Sequence, residues 1–159
     1  MEVRPLTDPG ARSAACRNLA ARLPDWFGIA DANDAYARDI ARLECYAVCA
    51  PDGAVLGMIA LKPHFADAIE IFWMAVAPEQ HRAGIGRAMV ARAVQRAGEL
   101  DRRHLIVATL GPDSGDRAYQ ATRAFYEALR FRPLCPAGHS GEGDALVWMI
   151  RSDTAGAVT

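Results

Sequence analysis

Apolar and polar positions along this chain alternate between two periods, and the changes of period mark out its elements. "MEVRPL" reads as a short first strand. "DPGARSAACRNLAARL" follows as a helix, with Asp8 as N-cap, Pro9 at the first helical position and Pro24 as its stop. "PDWFGIADAND" is a connection and "DAYARDIARL" a second helix. "LECYAVCA" and "AVLGMIALK" alternate as strands around a "PDG" turn. "AIEIFWMAV" is a further strand, apolar enough throughout to expect burial on both faces. From Gly84 to Leu100, Ile85, Met89, Ala93 and Ala97, flanked by Val90 and Val94, recur at the spacing of one buried helical stripe. "HLIVATL" is a buried strand, and a Gly-Pro-Asp-Ser-Gly loop leads from it into "DRAYQATRAFYEALRF". That helix is expected to bury Ala118, Ala121, Phe125 and Leu129. "FRPL" and "ALVWMI" close the chain as strands around a glycine-rich loop. The order β-α-α-β-β-β-α-β-α-β-β indicates an α/β or α+β domain with a mixed sheet.

Length and composition narrow the function classes. A chain of 159 residues is one ordinary domain, expected over residues 1–152 with 153–159 as a disordered tail. It is long enough to bury roughly 70% of its unfolded surface. The net charge of -1 argues against nucleic acid or an anionic membrane held by electrostatics. No apolar run reaches the ~20 residues that span a bilayer, and the N-terminus resembles no signal or transit peptide, so a cytoplasmic location is expected. Cys16, Cys45, Cys49 and Cys135 form no CxxC pair, and the histidines near them lack zinc spacing. No metal is expected, and the cysteines read as reduced, buried, small apolar residues.

The candidate chemistry lies in "VAPEQHRAGIGRAMV". A strand, a loop with Gly84 and Gly86, and then a helix make a ready anion site: the first helical N–H groups lack an internal partner, and the helix dipole places positive charge there. Arg82 and Arg87 flank the loop. No Lys-Ser or Lys-Thr follows the glycines, which excludes a P-loop, and Met89 is too bulky for the dinucleotide fingerprint. A diphosphate belonging to neither ATP nor NAD remains, and coenzyme A is the candidate.

These residues also carry a resemblance. "MAVAPEQHRAGIGRAM" resembles the acyl-CoA motif of the GNAT superfamily of N-acetyltransferases, [Q/R]xxGx[G/A] at a helix start, and "TRAFYEALRF" resembles its AxxFYxxxGF helix end. The strand and helix order is similar along nearly the whole chain, and "ATRAFYEALGF" in uncharacterised bacterial members is a near likeness. The resemblance implies the GNAT fold, with a mixed, mostly antiparallel sheet of six to seven strands flanked by about four helices. It implies transfer of an acetyl group from acetyl-CoA to a small-molecule or peptide amine by direct attack. A non-catalytic acyl-CoA sensor or regulatory module on the same fold is the alternative. Dimers are common in the superfamily, and an exposed strand of the tail offers a route to one.

Residue by residue, the resemblance implies that the backbone of Met74, Ala75 and Val76 pairs with the pantetheine amides and polarises the acetyl carbonyl. It implies that Arg82, Ala83, Gly84, Ile85, Gly86 and Arg87 wrap the pyrophosphate. Tyr126 matches the tyrosine that protonates the departing thiolate. A phenol near pKa ~10 is protonated at neutral pH, and the thiol lies near ~8.5. Tyr119 stands where an asparagine often contacts the cofactor. His81, Arg82 and Ala83 depart from the usual Gln or Arg, Gly and basic residue, and Arg130 replaces the glycine ending the helix. Glu70, four residues before Met74, stands where several members carry a base acting through water. Trp26 and Phe27, with Asp25 and Asp31, could form an aromatic, acidic mouth for a cationic amine, or a staple holding the helix connection to the sheet. His64, His104 and His139 are isolated in the sequence and read as structural or solvated.

Overall fold

The computed structural model describes residues 1–139 and 143–153. The elements occur in the order that the periodicity predicts. They are β1 (Arg4–Pro5), α1 (Pro9–Ala21), α2 (Ala30–Ile40), β2 (Glu44–Cys49), β3 (Val55–His64), β4 (Ala68–Val76), α3 (Ile85–Glu99), β5 (His104–Leu110), α4 (Arg117–Ala128), β6 (Arg132–His139) and β7 (Ala145–Arg151). The seven strands form one mixed sheet in the order β1-β2-β3-β4-β5-β7-β6. Part of the glycine-rich loop, and the expected tail 153–159 apart from Asp153, lie outside the described residues, while Asp153 is held by ion pairs to Arg130 and Arg151. The chain divides into two compact units, Met1–Lys62 with Phe72–Ala93, and Pro63–Ile71 with Val94–Thr159.

In the first unit, α1 begins as its sequence dictates. Asp8 accepts a hydrogen bond from the Ala11 N–H at 2.6 Å, and Pro9 occupies the first turn, where no N–H is needed. α2 begins at Ala30, earlier than the spacing predicts, with Asp31 in its first turn at the positive end of the helix dipole. Ser13 donates to the Ala37 carbonyl at 2.7 Å, and Arg12 Nε to the Leu6 carbonyl at 2.6 Å, tying α1 to α2 and to the end of β1. Cys16, Leu19 and Ala20 of α1 form one core with Ala37, Ile40, Cys45, Met58, Ala60, Trp73 and Ala75. Each fully buried leucine, isoleucine or methionine side chain there contributes about 1.5–3 kcal/mol. β2 and β3 pair antiparallel, with an irregularity between Val48 and Cys49.

Along β4 the residues alternate. Ile69, Ile71, Trp73 and Ala75 are buried, while Glu70, Phe72, Met74 and Val76 are half-buried. The strand therefore has one deeply covered face rather than the two its apolarity suggests.

In the second unit, β4 pairs in parallel with β5 over Ala68–Glu70 and His104–Ile106. β5 pairs antiparallel with β7, and β7 with β6. β6 is longer than predicted and runs through two prolines. The ladder accommodates them with register shifts between Pro133 and Cys135 and between Pro136 and Gly138. α4 starts at Asp116, whose carboxylate accepts from the Ala118 and Tyr119 N–H groups at 2.8 and 3.2 Å. Of its predicted inner stripe Leu129 is buried, Ala118 and Phe125 are half-buried and Ala121 is exposed, and the unpredicted Tyr126 is buried beside them. Burying an aromatic ring removes far more apolar surface than burying an alanine methyl.

Two of the four cysteines depart from the buried expectation. Cys16 and Cys45 are buried, but Cys49 ends β2 and Cys135 lies on the edge strand β6, and both are exposed. No helix among the described residues is long and apolar enough to cross a membrane.

Candidate active site

The first unit holds the loop that the sequence singled out. β4 ends at Val76, a 3-10 turn spans Pro78–Gln80, and residues His81 to Gly84 lead into α3. The chain reverses through two left-handed residues, Arg82 (φ 64°) and Gly84 (φ 86°). A Cβ at Gly84 would meet nothing within 4 Å, so its glycine answers to backbone conformation and leaves open space beside the helix start. The Ala88 N–H donates to the Gly84 carbonyl at 3.0 Å, the first helical bond. The N–H groups of Ile85, Gly86 and Arg87 therefore fall in the first turn, where helix geometry offers them no internal acceptor. Arg82, Ala83 and Arg87 are exposed, so cationic and backbone donors lie together on the surface. These are the features a phosphate ester requires.

Two side chains fix this loop in ways the sequence does not display. His81 Nε2 lies 2.9 Å from the Val76 carbonyl and donates to it, joining the loop to the strand end. His81 thus has a local task at the position where Gln or Arg was expected. Beneath the helix start, Ile85 is buried against Gly57 of β3, where an added Cβ would come within 2.7 Å of Ile85 Cγ2 and 3.3 Å of the Ala75 carbonyl. Gly57 has no signature in the sequence beyond being a glycine inside a strand, the known mark of close approach.

Met74 and Val76 are half-buried on one face of β4, and Ala75 is buried on the other. Trp26 and Phe27 are partly buried against the core of the unit. The Phe27 ring centre lies 5.3 Å from that of Trp73, and Trp26 meets His81 edge-on at 6.0 Å. Asp25 and Asp31 remain exposed. The buried Trp73 Nε1 donor has no hydrogen-bond partner among the described residues.

The second unit holds Glu70, Tyr119 and Tyr126. Tyr126 is 4% exposed, wedged between the rings of Phe125 and Phe131 at 5.2 Å each. Burial pushes its phenol well above the ordinary value, so the hydroxyl stays protonated throughout the physiological range. Tyr119 is half-buried two turns earlier on α4. Arg130 adopts φ 68°, keeping the left-handed turn that its glycine counterpart would make, and ion-pairs with Asp153 at 2.9 Å. Arg123, which the sequence did not mark, donates to the Leu110 and Gly111 carbonyls at 2.8 and 3.0 Å and holds the end of β5 against α4.

Glu70 is not alone. Its Oε2 lies 2.5 Å from His64 Nε2 at the end of β3. The reading of His64 as an isolated histidine is therefore corrected: the turn between β3 and β4 brings it to the carboxylate. Among the described residues no cluster of three or more His, Cys, Asp or Glu is arranged to hold a metal ion.

Residues 42–133 match the family model of the acetyltransferase (GNAT) domain, more than half of the chain, and the protein belongs to the GNAT family. Solved structures share its fold. A GNAT-family protein from Desulfovibrio desulfuricans is 21% identical, with a TM-score of 0.78 over 95% of this chain and 98% of its own. The ribosomal-protein-S18-alanine N-acetyltransferase of Escherichia coli is 16% identical, with a TM-score of 0.73 over 99% of each chain. An aminoglycoside 6'-N-acetyltransferase solved with coenzyme A is 13% identical, with a TM-score of 0.72 over 96% of this chain and 97% of its own. No protein of curated function is similar enough in sequence to count as a relative. Membership of this family supports acyl-CoA-dependent acetyl transfer as the general activity.

Proposed function

We propose that this protein transfers the acetyl group of acetyl-CoA to a primary amine by direct attack of the amine on the thioester. The observation that carries this is the start of α3. In a GNAT-family chain, an exposed helix N-terminus follows β4 directly, opened by the left-handed Gly84 and flanked by Arg82 and Arg87. The backbone from Arg82 to Arg87 holds the pyrophosphate, with Tyr119 as a further cofactor contact. The backbone of Met74, Ala75 and Val76 pairs with the pantetheine amides, and one N–H there polarises the carbonyl.

As the amine nitrogen bonds to the carbonyl carbon, one proton must leave the nitrogen and one must reach the sulfur when the C–S bond breaks. Tyr126 donates to the sulfur. A buried phenolate is disfavoured, so Tyr126 acts first as a hydrogen-bond donor to the developing thiolate and gives up its proton only as the thiol departs. Glu70 draws off the amine proton, directly or through water. Trp26 and Phe27, with the exposed Asp25 and Asp31, take the acceptor, and both small cationic amines and peptide amines suit that chemistry. Two of the structural neighbours are named for N-acetylation, one of an aminoglycoside and one of a protein alanine.

The test combines thermal shift with thiol release. Coenzyme A is expected to raise the melting temperature while ATP and NAD leave it unchanged. Acetyl-CoA with a panel of amines is expected to release thiol. Tyr126→Phe should lower turnover about 10²-fold or more with coenzyme A affinity unchanged. Stabilisation by coenzyme A with no thiol release from any amine would make the chain a binding module. Stabilisation by ATP or NAD alone would make it a nucleotide-binding protein.

A further inference from the structure

The His64–Glu70 contact joins two side chains six residues apart, at the end of β3 and on β4. Glu70 is 12% exposed at its side chain and His64 32%, so the carboxylate is the inner member and the imidazole the outer. An ionised carboxylate only accepts hydrogen bonds, so at 2.5 Å His64 Nε2 carries the hydrogen and donates it. In a neutral imidazole this leaves the lone pair on Nδ1, which has no hydrogen-bond partner among the described residues. The Trp148 ring stands edge-on to the imidazole, 6.5 Å between centres, and limits its rotation. The other ionisable groups on the neighbouring strands and turns have partners elsewhere. Asp67 pairs with Arg103 at 3.2 Å, Arg102 donates to the Phe65 carbonyl, His104 contacts Ser152 at 3.2 Å and Arg151 pairs with Asp153 at 2.6 Å. Lys62 lies over the Phe72 ring.

We propose that the base is a Glu70–His64 dyad, in which Glu70 fixes the imidazole tautomer and His64 Nδ1 takes the proton from the attacking amine. This rests on the reading of the site as an amine acetyltransferase and reassigns the proton within it. The nitrogen lone pair forms the C–N bond, the N–H electron pair returns to nitrogen as the proton passes to Nδ1, and the carbonyl re-forms as the C–S pair leaves with sulfur. Sulfur takes the Tyr126 proton. The imidazolium, held by the Glu70 carboxylate, then returns its proton to solvent, from which the phenolate recovers one. Glu70 is the positioning residue and His64 the catalytic one. An imidazole changes charge in the range where a general base works best near neutral pH, whereas a carboxylate is ordinarily much weaker as a base.

The test uses thiol release across pH for the wild-type chain and for His64→Ala, His64→Gln and Glu70→Gln, with coenzyme A thermal shift as the check on folding. His64→Ala and His64→Gln are expected to lower kcat about 10²-fold below the amine's own pKa, with KM for acetyl-CoA unchanged and the deficit shrinking as pH rises. Added imidazole should restore part of the His64→Ala rate. Glu70→Gln should also lower kcat, with KM for acetyl-CoA unchanged, because the imidazole loses the acceptor that fixes its tautomer. Nitrogen-15 NMR of the free protein should show His64 protonated at Nε2. A wild-type rate and profile in His64→Ala alongside a slowed Glu70→Gln would overturn the dyad and leave Glu70 as the base. An Nδ1–H tautomer for His64 overturns it irrespective of turnover. A folded wild-type chain that binds coenzyme A but releases no thiol removes the acetyltransferase reading and the dyad together.

Discussion

Arg130 and Arg82 share a conformation that suits neither: both have positive φ, at 68° and 64°. An L-residue with a Cβ pays roughly 1–2 kcal/mol for a left-handed backbone, and glycine avoids that contact. Arg130→Gly is therefore expected to stabilise the protein by about 1 kcal/mol, read as a rise of roughly 2–4 °C in melting temperature. The lost ion pair to Asp153 changes this little, because Arg130 is 77% exposed at its side chain. A lower melting temperature for the glycine variant would refute the strain. Both positions were legible in the sequence, Arg130 because a helix-ending motif specifies glycine there and Arg82 because the acyl-CoA motif commonly carries glycine there. The partnership of His64 with Glu70 was not legible. It depends on how the β3–β4 turn sets two strands side by side, and nothing in the spacing of six residues announces it.

At the scale of elements, α3 and Gly57 depend on each other. Ile85 and Met89 occupy the space a side chain at Gly57 would fill, and the Ala75 carbonyl closes the third side. Gly57→Ala should destabilise by about 1–3 kcal/mol, since Ile85 Cγ2 is part of a stiff, buried side chain that cannot swing away. It should also weaken coenzyme A binding, because Ile85 opens the helix whose first turn is proposed to hold the pyrophosphate. Chemical denaturation and a coenzyme A titration of the variant measure the two effects. Unchanged stability would mean that the helix start shifts freely. Helices and strands were readable from their periods, and β4, β5 and α3 fall where the pattern places them. The predicted stripe of α4 holds at Leu129 and fails at Ala121, because alanines at the correct spacing count equally with larger residues in a pattern. In the folded chain the larger Tyr126 takes the buried side.

Across the whole molecule, the buried ionisable groups set an alkaline limit. Burial pushes the Cys16 thiol up to about 12 and the Cys45 thiol up to about 11, and raises the Tyr126 phenol as well. Each is neutral in the fold and ionises more readily when unfolded. Their contribution is complete below about pH 8.5, the unfolded thiol value, and is lost as pH climbs toward the folded values. Urea midpoints should fall steadily from pH 8 to pH 11, and Cys16→Ala should flatten the slope. A midpoint constant to pH 11 would contradict the burial of these thiols. The number and order of elements were open to sequence reading, but their neighbours in the sheet were not, because pairing joins residues far apart in the chain. The position of β7 between β5 and β6 is the clearest case. It imposes a timetable on synthesis: β6 leaves the ribosome before the strand it must pair with exists. Until Ala145–Arg151 has been made, β6 has no neighbour in this sheet and β5 lacks its antiparallel one. This half of the sheet is assembled only after its last strand emerges, however early the preceding strands and helices take shape.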